Sequence, residues 1–226
     1  MLRRRIRRAW RGATSTALRL TNGVASLVGF KVIRANLLSE EWYAKLTHFA
    51  RVLERVQEIE GDVVECGVGA GKSYALIAGL VRSNGKQRCV WGFDSWTTPS
   101  WEEAHTIGTE VVFSEASLAE VRLRLRQMGL NDSDRIKLVQ GDLRKTLSDV
   151  SGPIALAHID CRLEESARFC LEELWPKLAS GGVVVFGWFV PDSTERLNEF
   201  LAELSDGAAQ LQEDPAWYYR RYAVKP

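Results

Sequence analysis

Hydrophobic residues recur every three or four positions over residues 41–59, and this spacing predicts an amphipathic helix. Beyond it, short apolar runs that predict strands alternate with further helical patterns. The predicted strands cover residues 63–66, 89–93, 136–139, 154–159, 183–186 and 217–224. The predicted helices after residue 63 cover residues 73–81, 114–129, 164–174 and 194–204. This alternation is typical of an α/β protein with a doubly wound, mostly parallel sheet.

The first 34 residues have an unbalanced charge, with nine Lys or Arg and no Asp or Glu. Removing these nine from the 30 basic residues of the chain leaves 21 basic against 29 acidic residues, a net charge of −8 for the remainder. We therefore expect a basic, partly helical N-terminal arm at residues 1–40 and a folded domain at residues 41–226. The arm could lie on an anionic membrane surface, order a homo-oligomer or remain a solvated tail.

Other features of the sequence indicate where the protein is located and which partners it binds. The apolar stretch at residues 17–30 is short and interrupted by Arg19, Asn22 and Gly23, so neither a membrane span nor a signal peptide is expected. No nucleic-acid-binding motif accompanies the basic residues, and we expect no nucleic acid partner. Four cysteines without a C-x-x-C pair favour reduced thiols in a cytoplasmic protein, peripheral to the membrane if the arm binds it.

Acidic residues stand at or just beyond the ends of four predicted strands. They are Glu65, Asp94, Asp142 and Asp160. Ligands of doubly wound sheets bind at the carboxyl ends of the strands, so these four side chains are expected on one functional rim.

The first strand runs into a glycine-rich loop that fits two different cofactors. Gly71, Lys72 and Ser73 resemble the end of a phosphate-binding P-loop, but the glycine that G-x-x-x-x-G-K-[ST] requires first is replaced by Cys66. An acidic residue followed by G-x-G-x-G suits S-adenosylmethionine (SAM) instead, because a carboxylate beside the loop attracts an ammonium group and repels a triphosphate.

The SAM interpretation assigns a part of the ligand to each feature of the rim. The loop glycines allow the backbone to approach the methionine portion, and Glu65 suits its ammonium group. Asp94 ends the second strand, where a carboxylate binds ribose hydroxyls in nucleoside-binding α/β folds, and Asp142 could accept a hydrogen bond from the adenine amino group. The predicted cofactor-binding residues are Glu65, Gly67, Gly69, Gly71, Asp94, Ser95, Gly141 and Asp142.

Four segments together resemble the macrocin O-methyltransferase family. They are residues 61–68 (GDVVECGV), 93–96 (FDSW), 141–147 (GDLRKTL) and 171–182 (LEELWPKLASGG). The resemblance covers about residues 58–190. It implies a Rossmann-like class I SAM-dependent methyltransferase with a seven-stranded type of sheet, acting on hydroxyls of sugars and related small molecules.

The chain departs from this family where the family binds Mg²⁺. After the fourth strand the family has Asp-Gly-Asp, whereas this chain has Asp160, Cys161 and Arg162. After the fifth strand the family has paired aspartates, and this chain has Phe186 and Gly187. Since Mg²⁺ requires several oxygen ligands, we expect no metal ligands here and regard Mg²⁺ as doubtful.

Methyl transfer to a hydroxyl requires a base for its proton. Asp160 is the first candidate base, with His158 two residues earlier on the same strand and His105 in a predicted loop over the site. Trp96, Trp101, Trp188 and Arg162 are predicted to contact a small-molecule acceptor. The loss of the metal ligands leaves a second reading, in which the fold is retained as a catalytically reduced binding or scaffold protein.

Overall fold

Strands and helices alternate along the chain, as the hydrophobic pattern predicts. The structure is a computed structural model that describes residues 40–97, 116–130, 134–161, 164–187, 191–213 and 221–226. The helices are α1 (Glu40–Arg55), α2 (Lys72–Ser83), α3 (Leu118–Gln127), α4 (Leu143–Thr146), α5 (Glu164–Leu174) and α6 (Pro191–Leu204), with a 3-10 turn at Leu147–Asp149. The strands are β1 (Asp62–Cys66), β2 (Val90–Asp94), β3 (Ile136–Gln140), β4 (Ile154–Ile159), β5 (Leu178–Phe186), β6 (Gln212–Glu213) and β7 (Arg221–Val224).

The strands form one seven-stranded sheet in the order β3-β2-β1-β4-β5-β7-β6. Strands β1 to β5 are parallel, whereas β7 runs antiparallel to β5 and β6 runs antiparallel to β7. The predicted doubly wound, mostly parallel sheet is therefore confirmed. Strand order reverses between β1 and β4, so their carboxyl ends border the crevice where such sheets bind ligands.

Two apolar clusters cover the two faces of the sheet, because successive strand residues point to opposite sides. One face packs mainly against α1, α2 and α3 through residues such as Phe49, Ile77 and Val121. The other packs mainly against α5 and α6 through residues such as Leu171 and Leu201. Both clusters belong to the unit Tyr43–Pro226.

Two elements differ from their predicted boundaries for identifiable reasons. Strand β5 begins at Leu178 instead of residue 183 and includes Gly181 and Gly182, where its pairing with β4 changes register. The two glycines thus form an irregularity within a strand, not a turn before it. Helix α3 begins at Leu118 instead of Ser114, because the Ser117 hydroxyl and the Glu120 side chain complete a capping box.

Several predicted features lie outside the described residues: the N-terminal arm, His105, Trp101, Arg162, Trp188 and the first part of the last predicted strand. In the part of the chain that the structure describes, no helix is both long and apolar enough to cross a membrane.

Candidate functional site

The conformation of the glycine loop after β1 requires glycine at two of its positions, because a side chain there would collide with neighbouring elements. Gly67 and Gly71 have φ angles of 90° and 74°, in the region that favours glycine. A Cβ atom on Gly67 would lie 2.6 Å from the backbone oxygen of Asp160, and one on Gly71 would lie 2.7 Å from Cγ1 of Val121. The loop therefore passes close to the end of β4 and against α3.

A fully buried carboxylate lies at the end of β1, beside this loop. Glu65 Oε1 accepts a hydrogen bond from Ser73 Oγ at 2.6 Å and lies 3.0 Å from His158 Nδ1. Among the described residues, Glu65 Oε2 has no hydrogen-bond partner. A buried acceptor without a partner is costly, so Oε2 suits a cationic ligand group. The arrangement argues against a P-loop, because the Ser73 hydroxyl is bound to a carboxylate that would repel phosphate.

The carboxylate of Asp94 holds the middle of the glycine loop. Its Oδ2 accepts a hydrogen bond from the Gly69 backbone N–H at 2.7 Å, and its Oδ1 accepts one from the Trp96 N–H at 2.8 Å. The Trp96 indole Nε1 donates in turn to the Gly69 carbonyl at 3.0 Å. Arg124 on α3 donates to the next carbonyl, that of Ala70. Both polar groups of the Gly69 backbone are thus hydrogen-bonded within the protein.

The end of β3 places a third acidic residue farther along the same rim. Asp142 follows Gly141 and caps helix α4, because its Oδ1 accepts a hydrogen bond from the Arg144 N–H at 3.0 Å. The Asp142 residue is exposed, as a contact to the outer part of a ligand requires. Nearby, the Ser95 carbonyl accepts a hydrogen bond from Gln140 Nε2 at 3.1 Å, which links the ends of β2 and β3.

Asp160 lies at the end of β4, with its backbone N–H donating to the Cys66 carbonyl at 2.8 Å. Its carboxylate lies directly over Gly187, where a Cβ atom would overlap Oδ1 and approach the Asp160 Cβ to 2.7 Å. The glycine that follows β5 thus provides the space that the Asp160 side chain occupies. Asp160 is only partly buried.

His158 is placed differently from Asp160, although the sequence predicts both on one side of the sheet. The ligand atoms of Glu65, His158 and Asp160 all lie within 4.8 Å of one another, so the proximity is present. However, His158 is fully buried and its ring packs edge-to-face against Phe49 with 5.0 Å between ring centres. Direct contact of His158 with an acceptor stays a prediction that this conformation does not favour.

These residues do not match the requirements of Mg²⁺. Within the described ranges, Glu65, His158 and Asp160 form the one group whose geometry could hold a metal ion. Two of the three are fully buried, and imidazole suits Zn²⁺ or Cu²⁺ better than Mg²⁺, which prefers oxygen ligands and retains water. Phe186 and Gly187, at the family's paired aspartates, offer no side-chain oxygen.

The four cysteines are free thiols. Three of them, Cys66, Cys161 and Cys170, interact with one another. Cys161 Sγ and Cys170 Sγ are 3.9 Å apart. The hydrogen bond with Cys170, together with burial, raises the pKa of the Cys161 thiol well above its usual value. The thiol is therefore protonated at neutral pH and is a poor nucleophile.

Three contacts at the site were not indicated by the sequence. Ser73 was predicted only as part of the start of a helix, yet it binds Glu65. Phe49 was predicted only on the apolar face of α1, yet it packs against His158. Arg124 lies in the helix predicted at residues 114–129 and is not among the predicted site residues, yet it reaches the glycine loop. Each is a long-range contact between elements, for which local periodicity contains no signal.

Comparison with known proteins identifies the family of this chain. A family described as a methyltransferase domain matches residues 64–187, more than half of the chain. The 8-demethyl-8-(2,3-dimethoxy-alpha-L-rhamnosyl)-tetracenomycin-C 4'-O-methyltransferase of Streptomyces olivaceus is 30% identical over 145 residues, which are 60% of this chain and 55% of that protein. Demethyldecarbamoylnovobiocin O-methyltransferase of Streptomyces niveus is 25% identical over 179 residues, 72% of this chain and 67% of that protein. The chain thus spans about half the length of the first relative and two thirds of the second.

A solved structure shows the same fold. CalS11, described as a calicheamicin methyltransferase, superimposes with a TM-score of 0.67 at 22% identity, covering 93% of this chain and 91% of its own. At this identity the likeness supports the fold alone, whereas the family match spans the glycine loop, Asp94, Asp142 and Asp160. The chain belongs to the methyltransferase domain family.

Proposed function

We propose that the protein is a SAM-dependent methyltransferase that methylates a hydroxyl group of a small molecule of the sugar or natural-product type. The observation that carries the proposal is Glu65 Oε2, a buried acidic atom without a described partner beside a glycine loop in a methyltransferase domain. The two named relatives support the acceptor class, because both are O-methyltransferases of decorated natural products. Membership in the macrocin O-methyltransferase family, the narrower assignment, belongs to this proposal.

The residues of the rim suit the successive parts of SAM. Glu65 Oε2 would accept from the ammonium group, and the backbone of Gly67 and Gly69 would face the methionine portion. Asp94 would accept from the ribose hydroxyls; each of its oxygens already accepts one hydrogen bond and retains a further lone pair. Asp142 would face the adenine amino group. When bound, SAM supplies an electrophilic methyl group on a cationic sulfur.

Asp160 is the proposed base for the acceptor hydroxyl. It lies at the carboxyl end of β4, is only partly buried and rests against Gly187. A carboxylate at this place accepts the proton as the oxygen becomes a nucleophile. His105, Arg162, Trp96 and Trp188 stay candidates for contact with the acceptor.

We also propose that the reaction does not require Mg²⁺. The support is the mismatch described above: a single partly exposed carboxylate at the end of β4 and no carboxylate at Phe186 or Gly187. The contacts expected of the arm at residues 1–40, self-association and the absence of a nucleic acid partner stay predictions, as does a cytoplasmic location.

The test has a binding step and a turnover step. S-adenosylhomocysteine (SAH), the product form of the cofactor, is titrated into folded protein by calorimetry. Small-molecule extracts are then incubated with the protein and SAM carrying a trideuterated methyl group, with EDTA and with added Mg²⁺, and products are analysed by mass spectrometry. We expect SAH binding and deuteromethyl ethers formed equally with EDTA and with Mg²⁺.

Each contrary result has a distinct meaning. No binding of SAH to folded protein would overturn the proposed function. Binding without a methylated product in any extract would favour the catalytically reduced binding protein. Activity lost in EDTA and restored by Mg²⁺ would refute only the metal-independent part.

A further inference from the structure

The buried carboxylate of Glu65 is held asymmetrically. Ser73 Oγ from α2 and His158 Nδ1 from β4 both lie within hydrogen-bond distance of Oε1, at 2.6 and 3.0 Å. Among the described residues, Oε2 has no hydrogen-bond partner. An ionised carboxylate only accepts, so the bond to the imidazole requires the proton on Nδ1. Two donors on one oxygen restrict rotation of the carboxylate and keep Oε2 in one direction.

His158 is itself held on several sides. It stands opposite Glu65 in the β1–β4 register and opposite Val185 in the β4–β5 register. The Phe49 ring from α1 meets the imidazole at an interplanar angle of 77°. The side chain is fully buried, which keeps it from an acceptor but places it where it can orient its neighbour.

We propose that His158 is a positioning residue for the ammonium group of the cofactor: its Nδ1–H orients Glu65 so that Oε2 is presented to that group. The role rests on the proposed function, because it requires SAM in the crevice. In this proposal His158 contributes to the affinity for the cofactor, whereas the sequence analysis predicts a direct catalytic role for it.

The experiment compares two ligands that differ in the part of the molecule recognised. SAH carries the ammonium group, whereas 5'-methylthioadenosine keeps the adenine and ribose and lacks the amino-acid portion. Dissociation constants of both are measured by calorimetry for the wild type, His158→Leu, His158→Asn, Glu65→Gln and the double variant that combines Glu65→Gln with His158→Leu. Leucine removes the donor at similar volume, and asparagine retains an N–H donor near the place of Nδ1. His158→Met is a second donor-free variant should the leucine variant fail to fold.

The expected pattern is selective for the amino-acid portion. His158→Leu weakens SAH on the order of tenfold, the scale of one hydrogen bond to a charged group, and changes methylthioadenosine less than about twofold. His158→Asn retains most of the SAH affinity. In a Glu65→Gln background, His158→Leu has little further effect, because the histidine acts through the glutamate.

Other patterns overturn the assignment. Equal weakening of both ligands by His158→Leu would show a general structural role, and no weakening of SAH would show that Glu65 does not depend on His158. An additive effect in the Glu65→Gln background would mean that the histidine acts elsewhere. If the wild type binds neither ligand, the proposed function fails instead, so the two failures are distinguishable.

Discussion

Replacing Asp94 by alanine removes a carboxylate at the end of β2. This carboxylate holds the glycine loop and is expected to bind the cofactor. In the structure it accepts the backbone N–H groups of Gly69 and Trp96, at 2.7 and 2.8 Å. When SAM is bound, the same carboxylate is expected to accept the ribose hydroxyls. The substitution therefore tests the order of the loop and the affinity for nucleoside in one variant.

The expected losses of stability and of ligand affinity follow from the number of hydrogen bonds that Asp94 makes. Loss of two charge-assisted bonds to a partly buried acceptor is expected to lower the free energy of unfolding by about 2–3 kcal/mol. If the carboxylate binds both ribose hydroxyls at about 1.5 kcal/mol each, affinity falls by about 3 kcal/mol, or roughly 100-fold in Kd. The loss should be similar for SAH and for 5'-methylthioadenosine, because both contain the ribose.

The chain offers a matched control at the opposite end of the sheet. Asp62 begins β1 and also accepts two N–H groups, from the Cys89 backbone at 2.9 Å and the Trp91 indole at 3.0 Å. Asp62→Ala should lower the free energy of unfolding by a similar amount, measured by urea titration, and leave both ligand affinities unchanged. Comparing the two variants separates a loss of stability from a loss of recognition.

Two results would refute this reasoning. Unchanged affinity in Asp94→Ala would remove the ribose assignment, whatever happens to stability. Equal weakening of ligand binding in Asp62→Ala would show that affinity follows the stability of the sheet and not the chemistry of the rim.

Two further substitutions test the loop and the proposed base. Trp96→Phe keeps the aromatic ring but removes the indole donor to the Gly69 carbonyl, so SAH should bind on the order of threefold to tenfold more weakly; Trp91→Phe, which loses an indole bond far from the loop, should not change the Kd. Equal effects of the two changes would count against a role of the indole in the loop. Gly187→Ala introduces a Cβ atom that displaces the Asp160 carboxylate. Because the Asp160 Cβ would lie only 2.7 Å away and cannot move by rotation of the side chain, the backbone at the end of β4 or β5 must shift. The free energy of unfolding should therefore fall by about 1–3 kcal/mol, and kcat should fall at least about tenfold at unchanged SAH affinity. An unchanged kcat would mean that Asp160 is not the base in this position.

Local patterns in the sequence were sufficient to predict the fold and the acidic residues of the rim. Strands β1 to β4 lie within about one residue of their predicted ranges, because buried parallel strands appear as short apolar runs between turns. The acidic residues of the rim were identified because each follows such a run, and the carboxyl ends of parallel strands meet at one edge. The glycine loop was recognised by its spacing, and the structure agrees, with φ positive at Gly67, Gly69 and Gly71.

The sequence was less informative where an element depends on its neighbours. The start of β5 was placed five residues late, because a strand is normally predicted to start after a Gly-Gly pair. Backbone hydrogen bonds of Gly181 and Gly182 with Lys225, which follows β7, carry the strand through those glycines. The place of a strand end depends on available hydrogen-bond partners, which are distant in the sequence.

The sequence by itself determined the class of fold, the cofactor loop and the set of acidic side chains at its rim, because each depends on residues that are adjacent or regularly spaced. Only the tertiary structure decided how these side chains are oriented. Glu65 and His158 are 93 residues apart and meet through the register of β1 and β4. The Asp160 carboxylate can occupy its position because the residue after β5, Gly187, has no side chain. Sheet register and packing bring together groups that no local period relates, and at this site they bury His158 completely while leaving Asp160 partly exposed.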